Sequence, residues 1–261
     1  MTHFRLFLGI LTTCALAACG STAASSSSTD DAGSTDVGDT TSSSAIFGVF
    51  ASGVGGYEEI TATTWNEMAI VQLDAGKRFA ITQNSATDKY GPSQFNKLVW
   101  TAPQNGVFYY CTVDYGLATA DLASATTKTA DDASPDTKGC GGFPWTKLTA
   151  TAPLAVVGKY KDNFGGAPVI TNRFWEVGWI VNYDNTKRFA ITQSPADDKY
   201  APNKFTKLVW TEPSAGGLYI CTVAYGKDTQ AAAESATETA DSAAPEKSGC
   251  AGFAWTKLTP Q

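Results

Sequence analysis

From Trp65 onward the chain repeats itself. Lys77-Arg78-Phe79-Ala80-Ile81-Thr82-Gln83 recurs as Lys187-Arg188-Phe189-Ala190-Ile191-Thr192-Gln193, and Lys97-Leu98-Val99-Trp100-Thr101 as Lys207-Leu208-Val209-Trp210-Thr211. Cys111 answers to Cys221 and Cys140 to Cys250, so the offset stays at 110 positions without a gap. More than half of the aligned positions are identical. Upstream the match weakens but keeps register at Gly48/Gly158 and Gly55-Gly56/Gly165-Gly166. Two copies are too few for a solenoid, and each is long enough to hold its own hydrophobic core. The expected domains are residues 46–152 and 153–261.

Each copy reads as antiparallel sheet. Turn residues in Asp74-Ala75-Gly76-Lys77, and in Asp184-Asn185-Thr186-Lys187, separate apolar stretches and predict a hairpin. Tyr109, Cys111, Val113 and Tyr115 alternate along one strand and recur unchanged as Tyr219, Cys221, Val223 and Tyr225. The opposite phase drifts, Phe108 becoming Leu218 and Tyr110 becoming Ile220, so the constant phase is expected to face the core. Residues 118–132 and 228–242 are rich in Ala, Thr and acidic residues, predicting one surface helix per copy capped by Thr119 or Thr229. The fold class expected is two tandem antiparallel β-sandwich or small-barrel domains, each with one short helix and one disulfide.

The N-terminus reads as an address. Arg5 precedes an apolar run from Leu6 to Ala18, the layout of an export signal and too short to span a bilayer comfortably. Its end, Leu16-Ala17-Ala18-Cys19-Gly20, resembles the lipobox of bacterial lipoproteins. That resemblance implies removal of residues 1–18 and a mature N-terminal Cys19 carrying diacylglyceryl and a further fatty acyl group such as palmitate. It also implies a membrane partner reached through the lipid, and Gly20 rather than Asp after the cysteine favours the outer membrane. Two or three acyl chains hold firmly where one binds only reversibly. Residues 19–45 follow, a lipidated Ser/Thr-rich tether too poor in apolar residues to offset the entropy of ordering. About 26 such residues span roughly 25–30 Å root-mean-square.

Six cysteines, less Cys14 in the signal and the lipidated Cys19, leave four. The exported compartment is oxidising, so Cys111–Cys140 and Cys221–Cys250 are expected as disulfides. The spacing lacks the paired CxxC of a thiolate metal site, and no metal or other cofactor is expected.

Composition removes several function classes. The single histidine, His3, lies in the signal, so histidine-based nucleophilic catalysis and histidine zinc sites are excluded from the mature chain. A net charge of −6 argues against a nucleic-acid partner. Asp74/Asp184, Asp88/Asp198 and Asp131/Asp241 keep register, but turn and helix-end roles account for all three, and no catalytic residue is assigned. Trp65, Trp100 and Trp145 recur as Trp175, Trp210 and Trp255 and read first as core. Aromatic faces beside Gln83, Lys89 and Tyr90, or Gln193, Lys199 and Tyr200, make these the candidate ligand-binding residues for a glycan or small ligand.

The repeat itself, through Gly139-Cys140-Gly141-Gly142-Phe143-Pro144-Trp145-Thr146-Lys147-Leu148, resembles Cys- and Trp-containing modules of uncharacterised bacterial lipoproteins. The likeness supplies a location and no activity. The expectation is a lipid-anchored envelope protein with two binding or structural domains and a glycan or protein partner. Its rivals are a carbohydrate-active enzyme, a glycan-binding surface protein and a pure spacer.

Overall fold

The computed structural model describes residues 45–261. The signal, Cys19 and nearly all of the tether lie outside the described residues. Each copy closes into an eight-stranded barrel in which sequence neighbours pair antiparallel and the last strand returns to the first. The first barrel comprises β1 (Gly48–Ser52), β2 (Tyr57–Ile60), β3 (Thr64–Trp65), β4 (Met68–Asp74), β5 (Phe79–Gln83), β6 (Phe95–Trp100), β7 (Val107–Leu117) and β8 (Thr146–Thr151). The second comprises β9 (Gly158–Asp162), β10 (Val169–Ile170), β11 (Phe174–Trp175), β12 (Gly178–Asp184), β13 (Phe189–Gln193), β14 (Phe205–Trp210), β15 (Leu218–Lys227) and β16 (Thr256–Pro260). Closure removes the free sheet edges that an open meander would expose. Among the described residues no helix is long and apolar enough to cross a membrane.

The hairpin expected after Asp74 joins β4 to β5, with Asp74 Oδ1 accepting from Lys77 N at 2.8 Å, and Asp184 repeats the bond to Lys187 N at the same distance. Along β6 the period-two pattern buries Asn96, Leu98 and Trp100 inside the barrel and turns Phe95, Lys97 and Val99 outward. All six repeated tryptophans are buried. Trp65 and Trp100 meet in the first barrel at 6.1 Å between ring centroids, and Trp175 and Trp210 in the second at 6.0 Å.

The constant strand phase does not face this core. Phe108 and Tyr110 pack inside, against Phe50 and Trp65, whereas Tyr109 and Cys111 point to the outer face. That face is covered by the long excursion between β7 and β8, to which Tyr109 Oη donates at Asp136 (2.8 Å) and Cys111 is bonded through Cys140. Each barrel therefore has two buried surfaces, its interior and the wall under the excursion, and alternation along a strand cannot tell them apart. The interior drifts in a paired way: a buried carboxylate and its hydroxyl donor are both absent from the second copy, so neither is left there without the other. Inside the first barrel Tyr110 Oη and Trp65 Nε1 donate to Glu58 at 2.8 and 2.9 Å, while the second barrel holds Ile220 and Pro168 at the positions of Tyr110 and Glu58.

The excursion contains a helix shorter than the sequence predicts. It spans Ala120–Ala125, and its counterpart Gln230–Glu234. The caps are as expected: Thr119 Oγ1 accepts from Leu122 N at 3.2 Å and Thr229 Oγ1 from Ala232 N at 3.1 Å. The first helix stops where Thr126 turns its hydroxyl to Asp114 Oδ2 at 2.7 Å and a β-branched run begins. Asp131 thus lies beyond the helix, in a turn where its Oδ1 accepts from Ala133 N at 3.0 Å.

The two barrels belong to one packed unit and share an interface. Val49 and Tyr57 of the first join the same cluster of buried side chains as Leu154, Val156 and Ile170. Arg173 Nε donates to the Tyr57 carbonyl at 2.9 Å and its guanidinium pairs with Glu67.

Candidate functional site

The excursion lies over β5, β6 and β7 and leaves a groove along the outer wall. Three features pin it. The disulfides Cys111–Cys140 and Cys221–Cys250 form with Cα atoms 5.6 Å apart in both barrels. Trp145 Nε1 donates to the Asp131 carbonyl at 3.0 Å, as Trp255 Nε1 does to Asp241. Position 139 is glycine for a steric reason: at φ +106°, a Cβ would overlap the Asp131 carbonyl oxygen.

The groove floor carries cations set by the strands beneath. Lys97 sits at a register shift between β6 and β7, and Lys207 at the matching shift between β14 and β15. Such bulges re-aim a side chain. Lys97 Nζ lies 5.3 Å from the Phe79 ring centre and donates to the Ser124 carbonyl at 3.4 Å; Lys207 lies 5.5 Å from Phe189 and donates to the Glu234 carbonyl at 3.0 Å. Each ammonium thus satisfies a carbonyl at a helix C-terminus. At the end of the hairpin, Arg78 and Arg188 adopt φ of +53° and +54°, a left-handed conformation unfavourable for any residue with a Cβ.

In the second barrel the groove encloses about 800 Å³, lined by Lys187, Arg188, Phe189, Lys207, Glu238 and Trp255 among others. In the first, the matching space is about 310 Å³, lined by Lys77, Arg78, Phe79, Lys97, Lys128 and Trp145. Arg78 also borders a second cavity of about 590 Å³ with Thr101, Gln104, Asn105 and Tyr109. Of the carboxylates in the second groove, Asp184 is held below its ordinary range by the Lys187 backbone N–H, and Glu238 by the Lys227 ammonium. Both act as standing negative charges rather than proton donors.

The residues singled out from sequence gather elsewhere, at the far end of β5. Gln83 Nε2 donates to the Ser93 carbonyl at 3.0 Å and Gln193 Nε2 to that of Asn203 at 3.3 Å, so both amides serve the loop backbone. Lys89 Nζ stands 5.3 Å from the Tyr90 ring centre, and Lys199 Nζ 5.2 Å from Tyr200. Those tyrosines are 78% and 77% exposed. The loop is shaped by Asp88, whose Oδ1 accepts from Gly91 N (2.7 Å) and Tyr90 N (2.9 Å), bonds that hold its carboxyl below the usual range. No shared tryptophan joins them, since all six are buried. Among the described residues no three His, Cys, Asp or Glu side chains are grouped to hold a metal ion.

Sequence reading passed over the groove although its signal was present. Lys77-Arg78-Phe79 and Lys97 served only as markers of repetition, because nothing local shows that they converge under a segment 30 or more positions downstream. No family model matches the chain, and neither a curated protein nor a solved structure does.

Proposed function

We propose that the protein is a lipid-anchored envelope protein whose two barrels are binding modules, with the repeated outer groove as the binding site in each. One observation carries this reading. The copies keep the cations and aromatics of the groove wall: Lys77, Arg78, Phe79, Lys97, Val99, Thr129 and Trp145 recur as Lys187, Arg188, Phe189, Lys207, Val209, Thr239 and Trp255, and the differences fall in the excursion at positions such as 124, 128 and 132. Lys77 and Arg78, like Lys187 and Arg188, are exposed and belong to neither hydrophobic core, so their constancy is better accounted for by contact with a ligand than by packing. Two further features agree. The disulfides suit an oxidising compartment, and the packed barrel interface holds both grooves on one body, which favours a multivalent partner such as a glycan.

The test is calorimetric titration of the full-length chain in detergent with muropeptides, maltohexaose, oligogalacturonate and dextran sulfate oligosaccharides. Saturable binding by at least one probe is expected, lost when Val99→Trp and Val209→Trp together fill the grooves of a chain whose circular dichroism is unchanged. Flat titrations throughout, or binding indifferent to that pair, would overturn the reading.

A further inference from the structure

We propose that the groove of the first barrel takes an acidic oligosaccharide, with Arg78 receiving the acid group, and that the second groove has lost this specificity. The inference rests on the grooves being binding sites and names the ligand class of one of them.

The two arginines differ in what they face. Arg188 donates to Glu212 Oε2 at 2.7 Å, whereas the first barrel has Ala102 where the second has Glu212. Among the described residues Arg78 has no carboxylate within 4.0 Å. The surroundings follow the same trend. Lys77, Arg78, Lys97 and Lys128 line the first groove with Asp132 as its acid, while the second sets Lys187, Arg188 and Lys207 against Asp184, Glu234 and Glu238. Asp74 and Asp184 stand beside Lys77 and Lys187 alike, so the difference comes from Lys128 for Glu238 and Ser124 for Glu234, partly opposed by Asp132 for Ser242. Lys77 and Lys128 are partly neutralised by Asp74 at 3.4 Å and Asp114 at 2.6 Å, which leaves Arg78 and Lys97 as the cations without a carboxylate partner.

Backbone strain marks the arginine of both grooves. A left-handed residue at the end of a four-residue hairpin is ordinarily glycine, and an L-residue there is unfavourable. Arg78 holds that conformation with its carbonyl accepting from Trp100 N at 3.1 Å. A guanidinium offers the planar fork that grips a carboxylate or sulfate through two parallel hydrogen bonds. On one side of Arg78 the cavity presents the Thr101 hydroxyl and the Gln104 and Asn105 amides, donors and acceptors suited to sugar hydroxyls; on the other it presents Phe79 and Lys97. An extended, hydroxyl-rich chain bearing an acid group fits that sequence of surfaces.

The experiment titrates the full-length chain in detergent with oligogalacturonate, dextran sulfate oligosaccharides and neutral maltohexaose, before and after Arg78→Gly, Arg78→Lys and Arg188→Gly. At least one acidic probe is expected to bind more tightly than maltohexaose, with affinity falling as salt rises. The tighter acidic probe distinguishes carboxylate from sulfate. Arg78→Gly should weaken it by roughly tenfold, the worth of a charge-assisted pair, with Arg78→Lys intermediate and Arg188→Gly weakening it less than Arg78→Gly. Because glycine relieves the strained backbone, the melting temperature of Arg78→Gly should hold or rise, which separates lost binding from lost folding. Equal affinity for maltohexaose, or acid binding untouched by Arg78→Gly, overturns the inference. If maltohexaose binding is nonetheless abolished by the groove-filling pair, the grooves remain the sites and only the acid preference fails; if no probe responds to that pair, both readings fail.

Discussion

The ring of Tyr57 in β2 lies against that of Tyr183 in β12, centroids 4.4 Å apart and planes 31° from parallel, and the Tyr57 hydroxyl accepts from the Tyr183 backbone N–H at 3.1 Å. Burial raises the Tyr183 hydroxyl to about 12 and that of Tyr57 above its ordinary value, so both stay neutral donors. Neither position is repeated: Ala167 and Leu73 occupy the matching places. The contact between the barrels is therefore built from what distinguishes the copies.

Tyr57→Ala should break this coupling. Truncating a buried aromatic destabilises by about 3–5 kcal/mol, and here the loss falls on the interface. Calorimetry should resolve the parent's single unfolding transition into two, one per barrel; a single transition at the parent temperature would count against a cooperative interface.

Glu58 predicts a pH dependence confined to the first barrel. Burial, opposed by its hydrogen bonds from Trp65 and Tyr110, raises its carboxyl above the ordinary value. A raised folded pKa means that the contribution is fully present below the unfolded value and is lost as pH rises through the folded one. Glu58→Gln should flatten that decline while keeping acceptors for Trp65 and Asn66. The measurement is the difference in denaturant midpoint between parent and variant from pH 4 to pH 8, which should grow with pH in favour of the variant.

Opening Cys111–Cys140 with a double serine substitution should cost the first barrel about 3–4 kcal/mol, the chain-entropy value for a loop of this length. It should also free the wall of the groove. Gly139→Ala is expected to resemble it, since the new methyl collides with the Asp131 carbonyl. Because the interface couples the barrels, thermal melts of both variants should show the shared transition moved to lower temperature.

Cys19→Ser tests the anchor. The parent should sediment with membranes and incorporate labelled palmitate, and the variant should do neither. A parent that stays in the soluble fraction would remove the lipid anchor from the proposed function.

Repetition at a constant offset, turn chemistry at Asp74 and Asp184, two caps and two cysteine pairs are all legible in the sequence, because each follows from residue types at fixed spacings along the chain. What was not legible is which layer a side chain occupies. Alternation along β7 reports that Tyr109 and Cys111 are covered, but the cover is an excursion held by a bond 29 positions away rather than the opposite wall of the barrel. The partner of an arginine is equally non-local: pairing of β13 with β14 sets Arg188 beside the loop that carries Glu212, and pairing of β5 with β6 sets Arg78 beside Ala102, with no carboxylate partner among the described residues. Local propensity acts over a few residues along the backbone, whereas burial and charge pairing act across space. The duplicated β architecture was thus written in the order of residues, and the groove with its unequal arginines came into being only when the strands paired and each excursion folded over them.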